Sequence, residues 1–382
     1  MKEINDREKI IKLFMPFEND VFPLRNRFVR AAAWLGACST EGRATPLFQS
    51  RLVETAAGGA AAVITEAAYV SPDGRALGRQ WGLDSDAATA EVRRLSDAVH
   101  AAGSKLIVQL SHAGAAASYA AAAYSPSGGM FPGSDKDSLA MTQEDIRKVC
   151  SAFADAAERA KAGGADGVEI HAAHGCLFTQ FMSPLFNKRN DEYGGALENR
   201  MRAMREVYAA VRRAAGDGFS VWLKLSMTEG APGGYGPDEG IEAALAMLSC
   251  GVNVLEVSSG AAYSDPQHVP AVVGVSAGDS EAPFAGYAAA VKSKAPKSSL
   301  ILLTGGLRSL PVIAALLEEG TADLFGICRP FIAEPDLINR WAEDDARPSA
   351  CISCNACFRT AEEGVVDCPI MRSRQEGEWD PL

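Results

Sequence analysis

Short runs of aliphatic and β-branched residues alternate with longer, alanine-rich amphipathic segments along most of this chain. Runs of the first kind predict buried strands, and segments of the second kind predict helices. The predicted strands are Phe28–Ala33, Ala61–Glu66, Leu106–Leu110, Val168–Ile170, Val221–Leu225, Val252–Val257, Leu300–Leu303 and Leu324–Ile327. The predicted helices are Pro46–Ala57, Ala87–Ala102, Thr142–Ala162, Leu197–Ala214, Pro237–Ser249, Pro283–Lys294, Leu310–Glu318 and Pro335–Ala342.

Eight strands, each followed by a helix, predict an α/β protein with a closed (β/α)8 TIM barrel. A doubly wound open sheet is the alternative, weakened because no G-x-G-x-x-G follows the first strand. A turn-like segment from Phe17 to Arg27 predicts an N-terminal hairpin that closes the barrel bottom. The repeating pattern stops after Ala346, so we expect residues 1–345 to form the barrel and residues 346–382 a C-terminal cysteine-rich extension.

Composition narrows the class of protein. Hydrophobic residues make up 47% of the 382 positions, and no apolar run approaches the roughly 18 residues of a membrane span. The N-terminus lacks a signal-peptide pattern, and nine cysteines in an enzyme-like chain favour a cytoplasmic, thiolate-ligated metal site over disulfides. A net charge of −11 argues against nucleic acid. We expect no membrane partner, a small-molecule substrate and a homo-oligomer.

The most informative segment reads VEIHAAHGCLFTQFMSPLFNKRNDEYGGALENRMR, from Val168 to Arg202. A short strand ends there in His171 and His174, and barrel enzymes place their chemistry at the carboxyl ends of strands. Two neutral imidazoles can donate hydrogen bonds to one carbonyl, nitro or carboxylate oxygen. The chain has five histidines, which supply a histidine-rich metal site poorly. The simpler alternative is a pair of satisfied core histidines.

Two polar residues interrupt other predicted strands, Gln109 in IVQLSHAGA and Lys224 in VWLKLS. A buried amide and a buried ammonium both need partners, which a flat heterocycle with an amide-like edge and an anion would provide. Either residue taken alone also fits a structural role.

The loops after the last two strands have features of a phosphate site. Gly305 and Gly306 follow strand seven, and Gly326 and Arg329 lie at the end of strand eight. Backbone N–H groups in these loops of TIM barrels often bind phosphate, and an arginine adds a charge-assisted hydrogen bond.

The extension carries four cysteines with the spacing C-x2-C-x2-C-x10-C, namely Cys351, Cys354, Cys357 and Cys368. Four thiolates can bind Zn²⁺ or a [4Fe–4S] cluster. Three closely spaced cysteines with one distant partner favour the cluster. A cysteine tail without metal is the remaining alternative.

Together these segments resemble the old yellow enzyme family of NADH:flavin oxidoreductases. The resemblance runs from about Asn26 to Arg340 and rests on NRFVRAAAW, VITEA, VQLSHAG, VEIHAAHG, SPLFNKRNDEYGGALENR, TGGLRS and ICRPFIAEPDL. The cysteine tail is similar to the branch that contains 2,4-dienoyl-CoA reductase and trimethylamine dehydrogenase. In that branch the FMN barrel holds a [4Fe–4S] cluster after the eighth helix, and further nucleotide-binding domains follow.

The resemblance implies bound FMN, with NAD(P)H as electron donor, and assigns roles to matching residues. Gln109 would bind the pyrimidine edge of the ring, and Lys224 would stabilise the reduced ring near N1. His171 and His174 would bind the substrate oxygen, with Trp34 and Tyr263 beside the substrate. Residues expected to contact FMN or its phosphate are Ala32, Ala33, Ala67, Gln109, Lys224, Gly305, Gly306, Cys328 and Arg329.

One position departs from the family pattern. Many relatives have a tyrosine, which protonates the substrate, where this chain has Cys176. A thiol is a weaker donor on a shorter arm, although its ordinary pKa does not forbid donation. Morphinone reductase resembles this chain in having cysteine there. Cys176 is therefore a candidate catalytic residue, with Tyr263 and His268 as alternative proton sources.

The implied activity is that of an FMN-dependent ene-reductase, which transfers hydride from reduced flavin to an activated C=C bond of an enone or enoate. A rival is an amine or C–H dehydrogenase that passes electrons through the cluster, with an aromatic cage from Trp34, Tyr119, Tyr124 and Tyr263. Another is an electron-transfer subunit whose flavoprotein partner carries the missing FAD and NAD(P) domains.

Overall fold

A closed cylinder of parallel strands forms the centre of the molecule. The computed structural model describes residues 2–278 and 280–376. The barrel strands are β1 (Phe28–Arg30), β2 (Ala62–Ile64), β3 (Lys105–Ser111), β4 (Gly167–Ala172), β5 (Ser220–Ser226), β6 (Val254–Ser258), β7 (Leu300–Thr304) and β8 (Leu324–Ile327). Each strand pairs with the next, and β1 pairs with β8 through Val29 and Gly326. The predicted (β/α)8 barrel is therefore confirmed.

Helices cover the outside of the barrel, close to the predicted positions. Those between strands and after β8 are Pro46–Ala57, Ala87–Ala101, Gln143–Ala162, Leu177–Met182, Leu197–Arg200, Arg202–Ala215, Pro237–Ser249, Ala285–Lys292, Leu310–Glu318, Arg329–Ala333 and Leu337–Ala342. At the two ends of the chain lie Lys2–Phe14, Ala356–Glu363 and Pro369–Glu376. None of the helices in the described part of the chain is long and apolar enough to cross a membrane.

Local capping explains why several helices begin where the sequence predicts. The Thr142 hydroxyl accepts a hydrogen bond from the Asp145 N–H at 3.1 Å, and the Asp145 carboxylate accepts one from the Thr142 N–H at 2.9 Å. This reciprocal pair satisfies two N–H groups that a helix start otherwise leaves free. The same helix ends at Ala162 and is followed by Gly163 and Gly164, and the Gly164 φ of +87° suits glycine.

The apolar core has two parts, separated by the wall of the barrel. The larger part lies between strands and helices. The smaller part fills the lower interior and includes Phe22, Leu24, Ile64, Ile107, Trp222, Val254 and Leu302. Because alternate side chains of a strand point to opposite faces, the same strands supply both parts.

The segment before β1 closes the barrel bottom as expected, but without regular strands. One antiparallel bridge joins Phe17 and Leu24, with N–H to carbonyl distances of 2.7 and 3.1 Å. The Asn19 side chain accepts hydrogen bonds from the Val21 and Phe22 N–H groups and holds the turn. Phe22 then meets Trp222 edge-on inside the barrel, at 5.2 Å between ring centroids.

Two features were not predicted. The N-terminal helix Lys2–Phe14 packs against Leu310–Glu318, and Leu13 is fully buried there. The helix predicted from Leu197 to Ala214 is divided at Met201 into two helices. The buried Arg200 side chain donates to the carbonyls of Gly195 and Met182, which ties that first short helix to the loop before it.

The C-terminal extension packs against the mouth of the barrel. The Ser353 hydroxyl accepts hydrogen bonds from Arg308 and donates one to the Val275 carbonyl at 2.8 Å. The Asn355 carbonyl oxygen accepts a hydrogen bond from Arg329 at 2.6 Å. The division at residue 345 stays a prediction, since these contacts join the extension to the barrel.

The inner apolar cluster should carry much of the stability, because Trp222 is fully buried within it. We expect Trp222→Ala to lower the free energy of unfolding by about 3–5 kcal/mol, measured by guanidinium denaturation. Trp222→Phe, the control, keeps an aromatic ring and should lose less. A loss below about 1 kcal/mol for the alanine variant would show that the barrel bottom does not depend on this packing.

Candidate active site at the barrel mouth

The upper half of the barrel interior is polar, above the apolar cluster. Gln109, Glu169, Lys224 and Glu256 come from four consecutive strands, and each is at most 3% exposed. Register places Gln109 beside Glu169, and Lys224 beside both His171 and Glu256. The sequence therefore brings these side chains together at one level of the barrel.

This polar layer contains two close contacts. The Gln109 amide nitrogen donates a hydrogen bond to Glu169 at 2.6 Å, and the Lys224 ammonium forms an ion pair with Glu256 at 2.7 Å. Burial and the nearby charge of Glu256 raise the pKa of Glu169 well above its ordinary value, although Lys224 opposes the shift. Burial alone would lower the pKa of Lys224, but Glu256 and Glu169 raise it, so the lysine is cationic.

The two candidate histidines lie at the end of β4 with their rings edge to face, 5.1 Å apart at an interplanar angle of 85°. The His171 Nδ1 accepts a hydrogen bond from the Ala173 N–H at 3.2 Å, which places the ring proton on Nε2 in the neutral tautomer. His174 adopts a left-handed φ of +61°, and its Nε2 lies 2.8 Å from the Ser258 hydroxyl. The two rings therefore have fixed orientations.

Both histidines are neutral at physiological pH. Burial, and then the charge of Lys224, lower the pKa of His171 to about 3. Burial, Lys224 and His171 lower the pKa of His174 well below its ordinary value. A neutral imidazole can still donate one N–H hydrogen bond, so the pair can polarise an oxygen without adding a full positive charge.

A cavity of about 200 Å³ opens at the carboxyl ends of the strands. Lys224 and His174 lie on one side of it, and the glycine loop after β7 lies on another. Predicted site residues that line this cavity are Ala32, Ala33, Trp34, His174, Lys224, Gly305, Gly306, Cys328 and Arg329. Predicted residues that do not line it are Ala67, Gln109, His171, Cys176 and Tyr263. The His171 ring lies 5.1 Å from that of His174, which does line the cavity.

Glycine is required at the loop after β7 and on the neighbouring strand. Gly305 and Gly306 have φ of +119° and +71°, and a Cβ at Gly305 would lie 2.8 Å from the Phe284 ring. A Cβ at Gly326 would lie 1.9 Å from the Thr304 hydroxyl oxygen. The backbone can thus approach a bound group closely here.

Arg308 was not predicted as a site residue, but it also lines the cavity, next to Gly306 and Leu307. Its guanidinium is buried and donates hydrogen bonds to Ser353 at 2.7 and 3.2 Å. The signal was present in TGGLRS, where an arginine follows a glycine pair at the start of a helix.

Two buried polar atoms on the cavity wall have no hydrogen-bond partner in the described part of the chain. They are the indole nitrogen of Trp34 and the hydroxyl of Thr304. A buried donor without a partner is costly, so these atoms indicate that the cavity receives a polar ligand.

Cys176 and Tyr263 do not line this cavity, and each has contacts elsewhere. The Ser111 hydroxyl donates a weak hydrogen bond to the Cys176 sulfur at 4.0 Å. Burial raises the pKa of the Cys176 thiol to about 11. The Tyr263 hydroxyl donates to Glu229 at 2.9 Å, while its ring packs edge-on against Phe131. His268, the other candidate proton donor, has a buried Nδ1 with no partner in the residues described.

The four tail cysteines are free thiols that share one small cavity with Arg329 and Ile332. Cys357 is buried and Cys354 is exposed. Within residues 2–278 and 280–376, however, no group of three or more His, Cys, Asp or Glu side chains is placed to hold a metal ion. The thiols lie around one space without converging on one point.

Residues 12–347 match the NADH:flavin oxidoreductase / NADH oxidase family. An NADPH dehydrogenase of Bacillus licheniformis is 34% identical over 328 residues, which is 85% of this chain and 92% of that protein. A metal reductase of Desulforamulus reducens is 34% identical over 352 residues, 90% of this chain, and this chain spans 50% of its length.

Solved structures give the same assignment. A 2-naphthoyl-CoA reductase in complex with 2-naphthoyl-CoA superposes with a TM-score of 0.86 at 26% identity, over 97% of this chain and 58% of that one. Morphinone reductase superposes with a TM-score of 0.74 at 25% identity, over 89% of this chain and 92% of that one. This chain therefore spans little more than half of the first of these proteins. The chain belongs to the NADH:flavin oxidoreductase / NADH oxidase family, a family of oxidoreductases that use FMN and NAD(P)H.

Proposed function

We propose that this protein is an FMN-dependent ene-reductase that reduces an activated C=C bond conjugated to a carbonyl, carboxylate or nitro group. The observation that carries the proposal is the neutral, orthogonal pair of His171 and His174 beside the cavity. Such a pair suits an oxygen that gains negative charge during the reaction better than it suits a cationic amine.

The cavity fits FMN. The partnerless Trp34 indole N–H and Thr304 hydroxyl supply hydrogen-bonding groups that a polar heterocycle or its side chain would satisfy. The positive-φ backbone of Gly305 and Gly306 would bind the phosphate, with Arg308 and Arg329 nearby as cations. Lys224 would lie against the edge of the ring that becomes negative. Bound FMN supplies the hydride chemistry.

The protein's own residues would bind, orient and protonate the substrate. The histidines donate N–H hydrogen bonds to the substrate oxygen and so stabilise the charge that develops there. A proton must also reach the α-carbon. Burial keeps the Cys176 thiol protonated at neutral pH, so it has a proton to give. The Tyr263–Glu229 pair is the second candidate source, since burial also raises the pKa of both groups.

The first test uses the FMN-loaded protein under anaerobic conditions. NADPH or NADH should bleach the flavin absorbance, and an enone or enoate should restore it. The His171→Ala/His174→Ala double variant should lose about 10²–10³-fold in the rate of that reoxidation, because it lacks both donors, while flavin binding stays.

His100→Ala is the matched control, because His100 lies on the surface beside Asp166. It should reoxidise at the wild-type rate. If no class of alkene reoxidises the flavin of the wild-type protein, the proposal is refuted. Amine oxidation by the wild type that the double variant retains would instead support a dehydrogenase.

Because the folded protein keeps these histidines neutral, its free energy of unfolding falls in acid. The unfolded chain protonates histidine near pH 6.5, whereas folded His171 resists protonation until about pH 3, so stability is lost as pH falls through this window. Between pH 6.5 and pH 5 the loss from His171 should be about 2 kcal/mol, measured by urea unfolding. His171→Asn should show that much less acid destabilisation than wild type.

Equal acid sensitivity of His171→Asn and wild type would mean that His171 is not held neutral. The proposed role of the pair would then lose its electrostatic basis.

We also propose that Cys351, Cys354, Cys357 and Cys368 bind a [4Fe–4S] cluster. Their spacing and their shared cavity support this. A single Zn²⁺ needs four sulfurs about 2.3 Å from one point, whereas a cluster spreads its cysteines over a wider volume. Three closely spaced cysteines with one distant partner, as in this extension, favour the second case. No step of the proposed reaction depends on this cluster.

Iron and acid-labile sulfide should be found in anaerobically purified protein and lost in Cys357→Ser. Cys250→Ser is the control, since Cys250 is an exposed cysteine outside the extension. Zinc without iron, or no metal, would refute the cluster. An electron-donating flavoprotein partner, a homo-oligomer and a cytoplasmic location stay predictions.

A further inference from the structure

Three ionisable side chains lie inside the barrel, directly below the active-site cavity. Glu169, Lys224 and Glu256 project from β4, β5 and β6, and their exposures are 0%, 3% and 0%. Lys224 also lines the cavity, whereas the two glutamates do not. The glutamates therefore lie behind the lysine, where no ligand in the cavity needs to touch them.

The contacts show that this group is short of positive charge. The Lys224 Nζ lies 2.7 Å from the Glu256 Oε1, which is an ion-pair distance. The geometry of this contact is not that of a hydrogen bond. Glu169 receives only the neutral amide of Gln109, at 2.6 Å. The other Glu169 oxygen and both Glu256 oxygens have no hydrogen-bond partner among the residues described. One ammonium balances one carboxylate, and an unbalanced buried carboxylate is strongly disfavoured.

Among the residues that the structure describes, the surroundings offer no second counter-charge. The other titratable groups whose charges couple to Lys224 are His171, His174 and Cys328. Both histidines are neutral, for the reasons given above. The layer beneath the glutamates is apolar and comprises Ile64, Ile107, Trp222, Val254 and Leu302. A proton is therefore the remaining way to remove the excess charge.

The two carboxyl groups also influence each other. After burial, the charge of Glu256 is the next cause that raises the pKa of Glu169. A proton on one carboxyl would give the other a donor, which would satisfy oxygens that are otherwise partnerless. Pairs of carboxyl groups in this situation titrate as a unit that holds one proton.

We propose that Glu169 and Glu256 share a single proton, and that this acid pair fixes the charge that Lys224 presents to the cavity and hence the reduction potential of FMN bound there. Hydride reduction adds two electrons and one proton to the ring, so the ring gains one negative charge. The acid pair neither gives nor takes a proton in that step. Its remaining negative charge partly cancels Lys224 and so limits how strongly the reduced ring is stabilised.

This inference rests on FMN in the cavity but not on the substrate in the proposed function. Glu169 and Glu256 are positioning residues in this scheme, because they act through Lys224. If they share one proton, either glutamate alone can supply the single counter-charge. Removing one should then have little effect on the potential, and removing both should leave Lys224 uncompensated.

The test compares Glu169→Gln, Glu256→Gln and the double variant by spectroelectrochemical titration of the FMN-loaded proteins. Each single variant should change the equilibrium constant for reduction by less than about threefold. Measured at decreasing pH, so that Lys224 without its carboxylate partners is protonated, the double variant should favour the reduced state by about tenfold or more, which is about 30 mV for a two-electron couple. Glu91→Gln is the control, a carboxylate far from the cavity that accepts from the Trp81 indole at 2.8 Å, and it should not move the potential.

Infrared spectra of the oxidised, FMN-bound proteins give a readout that does not depend on turnover. With ¹³C-labelled glutamate carboxyl groups, wild type should show one protonated-carboxyl band more than either single variant. Each single variant should lose this band, because the remaining glutamate then ionises opposite Lys224. Glu91→Gln should keep it.

The outcomes separate cleanly. Large and additive shifts in the two single variants would mean that both glutamates are ionised, and would overturn the shared proton. An unchanged potential in the double variant would overturn the coupling to Lys224. A protonated-carboxyl band that is unchanged in the single variants would overturn the shared proton. Failure of enone reduction would refute the proposed function while leaving these measurements interpretable.

Discussion

A closed barrel of eight parallel strands must fill its own interior, because every second side chain on each strand points inward. In this molecule the lower interior is filled by an apolar cluster around Trp222, and the upper interior by polar and charged side chains. The active site stands on the boundary between the two. Everything placed at the mouth depends on how the charges just beneath it are balanced.

This balance of buried charges couples the two histidines to Lys224 and Glu256. Burial, and then the Lys224 charge, lower the pKa values of both histidines, and Glu256 helps to keep Lys224 protonated. In the proposed function, the side of the pocket that faces the substrate and the side that faces the flavin would therefore share one electrostatic origin. A change in the barrel interior alters both, even if it contacts neither ligand. This is typical of sites in which burial, rather than solvent, determines protonation.

Most of the fold could be predicted because the period of the sequence changes cleanly between strand and helix. Pro46–Ala57, Pro237–Ser249 and Leu310–Glu318 begin and end at the predicted residues, with proline in the first turn of each. Helix Lys2–Phe14 could not be found in this way. Its charges alternate with short apolar pieces, and its apolar side is recognisable only once Leu310–Glu318 is in place.

The candidate site was predictable in its residue types but not in its contacts. Inward-pointing His171, Gln109 and Lys224 stand out because polar residues interrupt apolar strands. Sequence could not show that Gln109 is occupied by Glu169, or that Lys224 is already paired with Glu256. Those glutamates were passed over, because a lone carboxylate in a strand gives no signal until its cross-strand neighbour is known. Arg308 was missed because its partner, Ser353, lies in the extension.

The hydrogen bonds between the extension and the two arginines at the cavity have an evolutionary consequence. Ser353 and Asn355 supply acceptors to Arg308 and Arg329, and Phe358 contributes to the cavity wall. A descendant gene that ended before these residues would encode Arg308 and Arg329 without these acceptors, each keeping one backbone carbonyl acceptor, and an opened pocket. Loss or gain of such an appendage by a lineage would therefore favour compensating substitutions in the loops after β7 and β8.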